Sequence, residues 1–434
     1  MTVSRPPSPI SALWHRVERS LLGPVRADVR YNVWVETIAS VLFGLFWATT
    51  IGFFPVVLRN IGATEGQLAI YVVFQSFGLI FTPISAALFA RFRIIKVANG
   101  IWMFGRSMMF LVPFVGGDVN LLLVLIGIFW VCELMPSPGY VRLLERLYPD
   151  NARGRLMSVV RMGMTATILL MTPIAGWMLD TWSYTVIFPA IGVVGILASV
   201  VFGQLRINDA PAARDPLHPP ASARAITAEV LRNKPFLWFL LLNTLFGCGT
   251  LIGAPLYAIV QVNRLGLSYT EVGYLGLVQS FTWFLGYFFW GRITDRFGPV
   301  AVLVVSMLCG ALMPLCFLFA TSFWWLLPAF IGQGLLFGGF ELGLTNTAMA
   351  LANRLRLEMY FAVMHVVSGV RGIIVPLLTP VLIAAQVSEQ VIFGVGTGLI
   401  LVSVLIAAKI NMPTTDPLSS SEVVQQEVPR ESGR

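Results

Sequence analysis

The sequence predicts an all-α membrane protein of twelve transmembrane helices arranged as two pseudo-symmetric six-helix bundles. Three observations carry this: a shortage of charge, a succession of long apolar segments, and a pattern that returns about two hundred residues later. The chain has 434 residues, of which 57% are hydrophobic and only 12% charged. A soluble domain carries about 25% charged residues, so most of this surface has lipid as its solvent. Twelve spans of about 20 residues need roughly 240 residues, which leaves chain for loops and tails. The formal charge of +8 would suggest nucleic acid in a soluble protein. In an apolar chain it reports basic loops on one side of a bilayer, so lipid is the expected partner and nucleic acid is not.

In chain order, residues 1–32 read as a cytoplasmic tail. Residues 1–9 are rich in Pro and Ser, and Ile10, Leu13, Trp14, Val17 and Leu21 then recur at helical spacing. That stripe predicts an amphipathic helix lying on the inner membrane surface. The first long apolar run begins near Val33 and continues past Phe54, a permanent span rather than a cleavable signal. Apolar segments follow the pattern 33–58, 67–90, 97–116, 120–141, 156–178 and 185–205, which together make an N-terminal bundle over 33–205. Residues 206–235, with Pro211, Pro216, Pro219, Pro220 and several arginines, form a polar cytoplasmic linker. Six more segments, 236–262, 270–290, 299–320, 324–352, 359–384 and 390–409, make a C-terminal bundle over 236–409. Residues 410–434 are a polar cytoplasmic tail. Cys132, Cys248, Cys309 and Cys316 all fall in apolar segments without metal-ligand spacing, as small core hydrophobes do.

Orientation follows from the basic residues. Only Arg59 and Arg264 fall on the odd-numbered loops, whereas the short even-numbered loops hold Arg91, Arg93, Lys96, Arg142, Arg146, Arg153, Arg155, Arg292, Arg296, Arg354 and Arg356. Both termini are therefore expected in the cytoplasm of a multi-pass plasma-membrane protein.

The two halves match residue by residue. Leu42-Phe43-Gly44 pairs with Leu245-Phe246-Gly247, Gln75-Ser76-Phe77 with Gln279-Ser280-Phe281, Glu133-Leu134 with Glu341-Leu342, and Arg146-Leu147 with Arg354-Leu355. A polar run, Gly291-Arg292-Ile293-Thr294-Asp295-Arg296-Phe297-Gly298, separates two apolar segments and reads as a tight turn at the membrane surface. A weakened copy stands at Ala86-Ala87-Leu88-Phe89-Ala90-Arg91-Phe92-Arg93, where Ala90 replaces the acid. This run resembles the G-x-x-x-D-R-x-G loop of the major facilitator superfamily, which joins the second and third helices of each half. Two parallel six-span repeats are the pattern of such transporters. The resemblance covers roughly residues 33–409, and it implies secondary transport of a small-molecule substrate by alternating access. It also implies a gating role for Gly291, Asp295, Arg296 and Gly298, whose acid and arginine would latch cytoplasmic helix ends.

Candidate site residues come first from intramembrane charge. A carboxylate inside a span costs several kcal/mol unless paired, neutralised or facing water. Glu133 in the fourth span and Glu341 in the tenth are equivalent in the repeat, and the resemblance puts both helices on the central path. Either acid would serve proton coupling or substrate binding, or else would be a buried ion pair, with Arg106 or Arg161 beside Glu133 and Arg371 beside Glu341. Around them Trp130, Ser137, Gln333, Phe337 and Thr345 are expected to line the cavity. In the seventh span Asn243, Gly247, Thr250, Ala254, Tyr257 and Gln261 share one small or polar face, and its counterpart in the first span is Ser40, Gly44, Trp47, Ile51 and Phe54. From these faces Trp47, Phe54, Asn243, Thr250 and Tyr257 are expected to line the cavity, and Glu36, one turn before Ser40, to mark the interface. His365 is a candidate for coupling or for a plain hydrogen bond. Thr172-Pro173-Ile174-Ala175-Gly176 is faintly similar to the Gly-Pro-x-x-Gly-Gly signature of drug:proton antiporters, which would imply export.

No phosphate-binding loop, metal-ligand cluster or nucleophile elbow is visible. The expectation is a carrier without cofactor or metal and not an enzyme, a monomer coupled to protons that exports an amphipathic or weakly cationic compound. Uptake of a sugar or organic acid is the alternative within transport, and a non-transporting sensor or scaffold is the alternative outside it.

Overall fold

The structure, a computed structural model, describes residues 22–81, 84, 88–89, 91–149, 152–206, 229–230, 232–352 and 357–410. The amphipathic helix expected at 10–21, most of the linker, the C-terminal tail and residues 86, 87 and 90 lie outside the described residues. Among the described residues there is helix and turn but no strand. Twelve helical units follow in order. α1 covers Ala27–Asn60, broken into Ala27–Thr49 and Phe54–Asn60, and α2 covers Glu65–Phe77 with a tighter turn at Gly78–Phe81. α3 joins Ile94–Ser107 to Met108–Val115, and α4 joins Val119–Leu134 to Ser137–Leu147. α5 is Arg153–Thr181, α6 Tyr184–Phe202, α7 Lys234–Arg264 and α8 Tyr269–Phe297. α9 is Pro299–Phe319, α10 Phe323–Leu351, α11 Leu357–Ala384 and α12 Glu389–Lys409.

Eight of these helices are long and apolar enough to cross a membrane. Of the remaining four, α2 runs into residues outside the described ones, and the other three have local reasons to fall short. In α3 the second segment tightens to a 3-10 helix around Pro113, which lacks an N–H for the ladder. The α4 helix stops at Leu134 and resumes at Ser137, with Pro136 and Pro138 at the restart. In α8 the uncharged middle is itself diluted by Gln279, Ser280 and Thr282 and by glycine, tyrosine and tryptophan residues.

The duplication is visible in the backbone. Gly62 and Gly266, 204 residues apart, both take positive φ, +98° and +61°, which costs a glycine nothing. Each is followed by a capping box, Thr64 with Gln67 before α2 and Ser268 with Glu271 before α8. In each, the hydroxyl and the longer side chain satisfy orphan N–H groups reciprocally. Both α1 and α7 break near mid-length, and each second segment has a proline, Pro55 or Pro255, in its first turn.

Packing sorts the helices into two sets. α1 lies on α5 and α6, α3 on α4 and α6, and α2 on α4; α7 lies on α11 and α12, α9 on α10 and α12, and α8 on α10. The main contacts between the sets are α5 with α8 and α2 with α11. One apolar cluster spans both sets at the end that bears the odd-numbered loops, uniting Phe53, Phe54 and Phe188 with Leu256, Val272 and Phe393. At the opposite end the core divides. Leu143, Tyr148 and Leu156 belong to one cluster there, and Phe236, Leu303 and Tyr360 to another. Among the described residues the apolar core is thus sealed across both sets at one end and parted at the other.

The polar run near residue 295 differs from its expected form. Helix α8 continues through it to Phe297, so Gly291, Arg292, Asp295 and Arg296 occupy its last two turns rather than a loop. The chain turns only at Gly298, with φ +82°, and Pro299 at once opens α9. The long arginine stems let charged heads reach the surface without ending the helix.

Candidate functional site

A cavity of about 290 Å³ opens among α1, α3, α4, α5 and α6 and reaches Trp283 of α8 across the divide. Its size is near the lower end for small-molecule sites. One face of α1 supplies Glu36, Ser40, Phe43 and Trp47, which recur at the spacing of one helical stripe. Helix α3 supplies Trp102 and Arg106, α4 supplies Glu133 and Tyr140, α5 supplies Arg161 and Met164, and α6 supplies Ser199 and Phe202. The walls are therefore largely aromatic, with two arginines and two glutamates among them.

Arg106 and Glu133 form the tightest polar contact. Arg106 Nε donates to Glu133 Oε2 at 3.2 Å and Nη2 to Oε1 at 3.0 Å. This is the two-pronged geometry that suits guanidinium to carboxylate. The Nη1 group donates to Gly195 O at 3.0 Å and to Ser199 Oγ at 2.8 Å, tying α3 to α6 as well as α4. The guanidinium carbon lies 4.6 Å from the Phe43 ring centroid, a favourable face for a cation. Close approach of α3 and α4 makes the pair possible, because a Cβ on Gly105 would lie only 2.5 Å from that of Cys132. Side-chain exposures of 6% and 12% leave a narrow contact with the cavity.

Glu36 reaches the same cavity from the first segment of α1. It is 1% exposed and accepts from the Tyr140 hydroxyl at 2.6 Å and from the Tyr148 hydroxyl. Two phenol donors compensate a carboxylate that burial would otherwise penalise. The sequence signal was available, since Glu36 falls on the same stripe as Ser40, Phe43 and Trp47. Tyr140 and Tyr148 had no signal of their own, because their meeting with Glu36 depends on the restart of α4 after Pro136. The guanidinium of Arg161 makes no hydrogen bond or ion pair among the described residues, although it acts through space on Glu36, Tyr140 and Tyr287.

The other expected cavity residues scatter. Trp47 lines the cavity, and Trp130 stands behind it with ring centroids 6.4 Å apart. Phe54 is fully buried in the apolar seal, and Tyr257 joins it there, stacked on Phe393 at 5.7 Å. Phe337 touches the cavity indirectly through Trp283, at 5.4 Å between centroids. Ser137 opens the second segment of α4, and Gln333 and Thr345 lie half-buried along α10 outside the cavity wall. Thr250 donates to Gly247 O at 3.1 Å.

The C-terminal counterparts behave differently. Glu341 is exposed on α10 and makes no hydrogen bond or ion pair among the described residues. Arg371 does not meet it. Instead Arg371 donates to the carbonyl of Asn243, whose side chain reaches Ser368 Oγ at 3.3 Å, and its Nε has no partner. The guanidinium fills the space that a Cβ at Gly247 would need. His365 is exposed and contacts Phe361 O through Nδ1 at 2.7 Å. Of the polar run, Arg296 lies 5.2 Å from the Phe297 ring, Gly291 is exposed, and the side chain of Asp295 is outside the described residues.

At the sealed end, Asp180 of α5 accepts from the backbone N–H groups of Tyr269 and Thr270 at 3.0 and 2.7 Å, capping α8 across the two sets. Arg59 Nε donates to Asn263 Oδ1 at 2.7 Å, a second such bond. The Thr172–Gly176 stretch lies in this contact, with Gly176 against the Tyr269 carbonyl and Thr172 against Gly273 and Gly276.

The family model described as Major Facilitator Superfamily matches residues 37–268 and 244–430. Among solved structures, a variant of the nucleoside transporter NupG superposes with TM-score 0.66 at 13% identity, over 88% of this chain and 99% of that one. A bacterial homologue of the human lysosomal transporter Spinster gives TM-scores of 0.53 and 0.55, in inward-facing unoccupied and occupied conformations. Identity is 16% in both cases, over 89% of this chain and 96% and 95% of those. At such identities the likeness concerns the fold. No curated protein matches the sequence.

Proposed function

Because the chain belongs to the major facilitator superfamily, we propose that it is a proton-coupled carrier that exports a small amphipathic organic solute across the plasma membrane. The single observation that carries this reading is the Arg106–Glu133 pair in the wall of an aromatic cavity. A buried pair is held by its mutual attraction, and separating its members leaves an uncompensated charge at high cost. Protonating Glu133 removes the acid's share of that cost and loosens Arg106 from α4, while Gly195 O, Ser199 Oγ and the Phe43 ring still hold the guanidinium. The neighbouring charged and titratable groups, Glu36, Tyr140 and Arg161, set how readily the proton enters.

The parted end carries the basic even-numbered loops, which supports a cytoplasm-facing cavity and cytoplasmic termini. Sealing that end and breaking the Asp180 and Arg59 contacts would present the same cavity to the other side. Export is favoured by the Thr172–Gly176 stretch in the seal. Liposomes with an imposed pH gradient test the reading. Outward movement of an amphipathic dye driven by inward proton flow is expected, and Glu133→Gln should remove the gradient dependence while Glu341→Gln should not. Proton-driven flux that survives Glu133→Gln overturns the coupling site, and flux that ignores the gradient overturns coupling altogether. No flux of any solute would favour a sensor that kept the fold.

A further inference from the structure

We propose that the cavity recognises an organic anion, with Arg161 and the indole N–H of Trp283 holding its carboxylate-type group and Trp47 meeting its apolar body. This rests on the transport reading above and adds the sign of the solute's charge. The grounds are a count of donors against acceptors. Both carboxylates in the wall are occupied: Glu133 by Arg106, and Glu36 by Tyr140 and Tyr148. Against them stand two donors whose hydrogen bonds are not completed among the described residues. The Arg161 guanidinium, which carries five N–H groups and no acceptor, lines the cavity without a hydrogen bond or ion pair among the described residues. The Trp283 Nε1 group, also in the wall, is buried, and its polar neighbour is the Tyr287 hydroxyl, outside full bonding geometry.

A cation in a poorly hydrated aromatic cavity is costly unless an anion meets it. Among the described residues the protein does not supply one here. Glu36 influences Arg161 only through space. Glu341 lies on α10, in the far set of helices, and makes no ion pair with Arg161. A solute carboxylate would complete the site, since a planar guanidinium binds that group in two-pronged fashion. Trp47 offers a ring face for the remainder of the molecule. A cationic solute would face the Arg161 charge and find no free acceptor acid in the wall.

Equilibrium dialysis of the full chain in detergent, at one pH and with empty micelles as blank, tests this. The probes are naphthoate, its primary amide, and naphthylmethylammonium, which share a ring and differ in charge. Naphthoate should bind at least about tenfold more tightly than either. Arg161→Gln should abolish that preference, Arg161→Lys should keep its sign at reduced strength, and Trp283→Phe should weaken naphthoate several-fold. Unchanged thermal unfolding of each variant excludes misfolding as the cause. Equal binding of the three probes, preference for the ammonium, or no binding of any of them overturns the proposal. So does Arg161→Gln that slows flux while naphthoate preference persists, which would make Arg161 a partner for Glu341 on closure. No gradient is imposed, so failure here leaves proton coupling standing, and gradient-independent flux leaves this result standing.

Discussion

The two halves open their second helices with the same glycine and the same capping box, yet they hold their buried arginines in opposite ways. Arg106 in the first half meets a carboxylate, a carbonyl and a hydroxyl, and a phenyl ring lies against it. Arg371 in the second half has a backbone carbonyl and no acid, while Glu341 stands exposed and apart. Duplication preserved the turns and helix breaks, which geometry dictates, and left charge free to diverge. The half that gathered paired charge and aromatic walls is also the half that contains most of the cavity.

Six substitutions break or sharpen that contrast. Arg106→Met strands Glu133 and should lower stability by about 3–5 kcal/mol, with most of it recovered in the Arg106→Met, Glu133→Leu double variant. Arg371→Met strands no acid and should change stability by less than about 1 kcal/mol or raise it. Chemical unfolding in mixed micelles measures both, and equal losses would erase the distinction. Tyr148→Phe leaves one Glu36 oxygen without its donor and should lose about 1.5–3 kcal/mol in the same assay. In the second half Ser368→Ala, which removes only a neutral bond to Asn243, should lose about 1 kcal/mol. Gly247→Ala forces the Arg371 guanidinium aside and should lose about 1–3 kcal/mol, but little in the Arg371→Met background; a double-mutant cycle reads the coupling. Asp180→Asn weakens a helix-terminus contact of about 0.3–1 kcal/mol. That should shift the sealed-to-open ratio by up to about fivefold without lowering stability. Alkylation of a cysteine placed at Phe53 reports the ratio.

Fold was far more legible in the sequence than site. Spans and repeats are one-dimensional signals: apolar length marked the helices, and matched pairs such as Leu42-Phe43-Gly44 with Leu245-Phe246-Gly247 marked the repeat, whose glycines at 62 and 266 share positive φ. The polar run at 291–298 shows the limit, because charge suggests a surface but does not say where a helix stops. Gly298 does, through a φ unfavourable to other residues. The site is written in rotations. Phe54 continues the apparent face of α1 but lies beyond the break at Thr50–Phe53, and so turns into the seal. Glu36 reads as an interface acid until Tyr140 and Tyr148, more than a hundred residues away, are brought beside it. Whether Glu133 would choose Arg106 or Arg161 depended on how closely α3 approaches α4, and Gly105 is a small clue to that.

The single apolar cluster at the sealed end has a thermal consequence. Under the proposed alternating access, turning the carrier over wets Phe53, Phe54, Leu256 and their neighbours, and hydrating such surface raises heat capacity. The population facing outward should therefore follow a curved van't Hoff plot, and warming and cooling from the optimum need not be mirror images. A cell that changes temperature would retune this carrier's resting direction without any ligand at all.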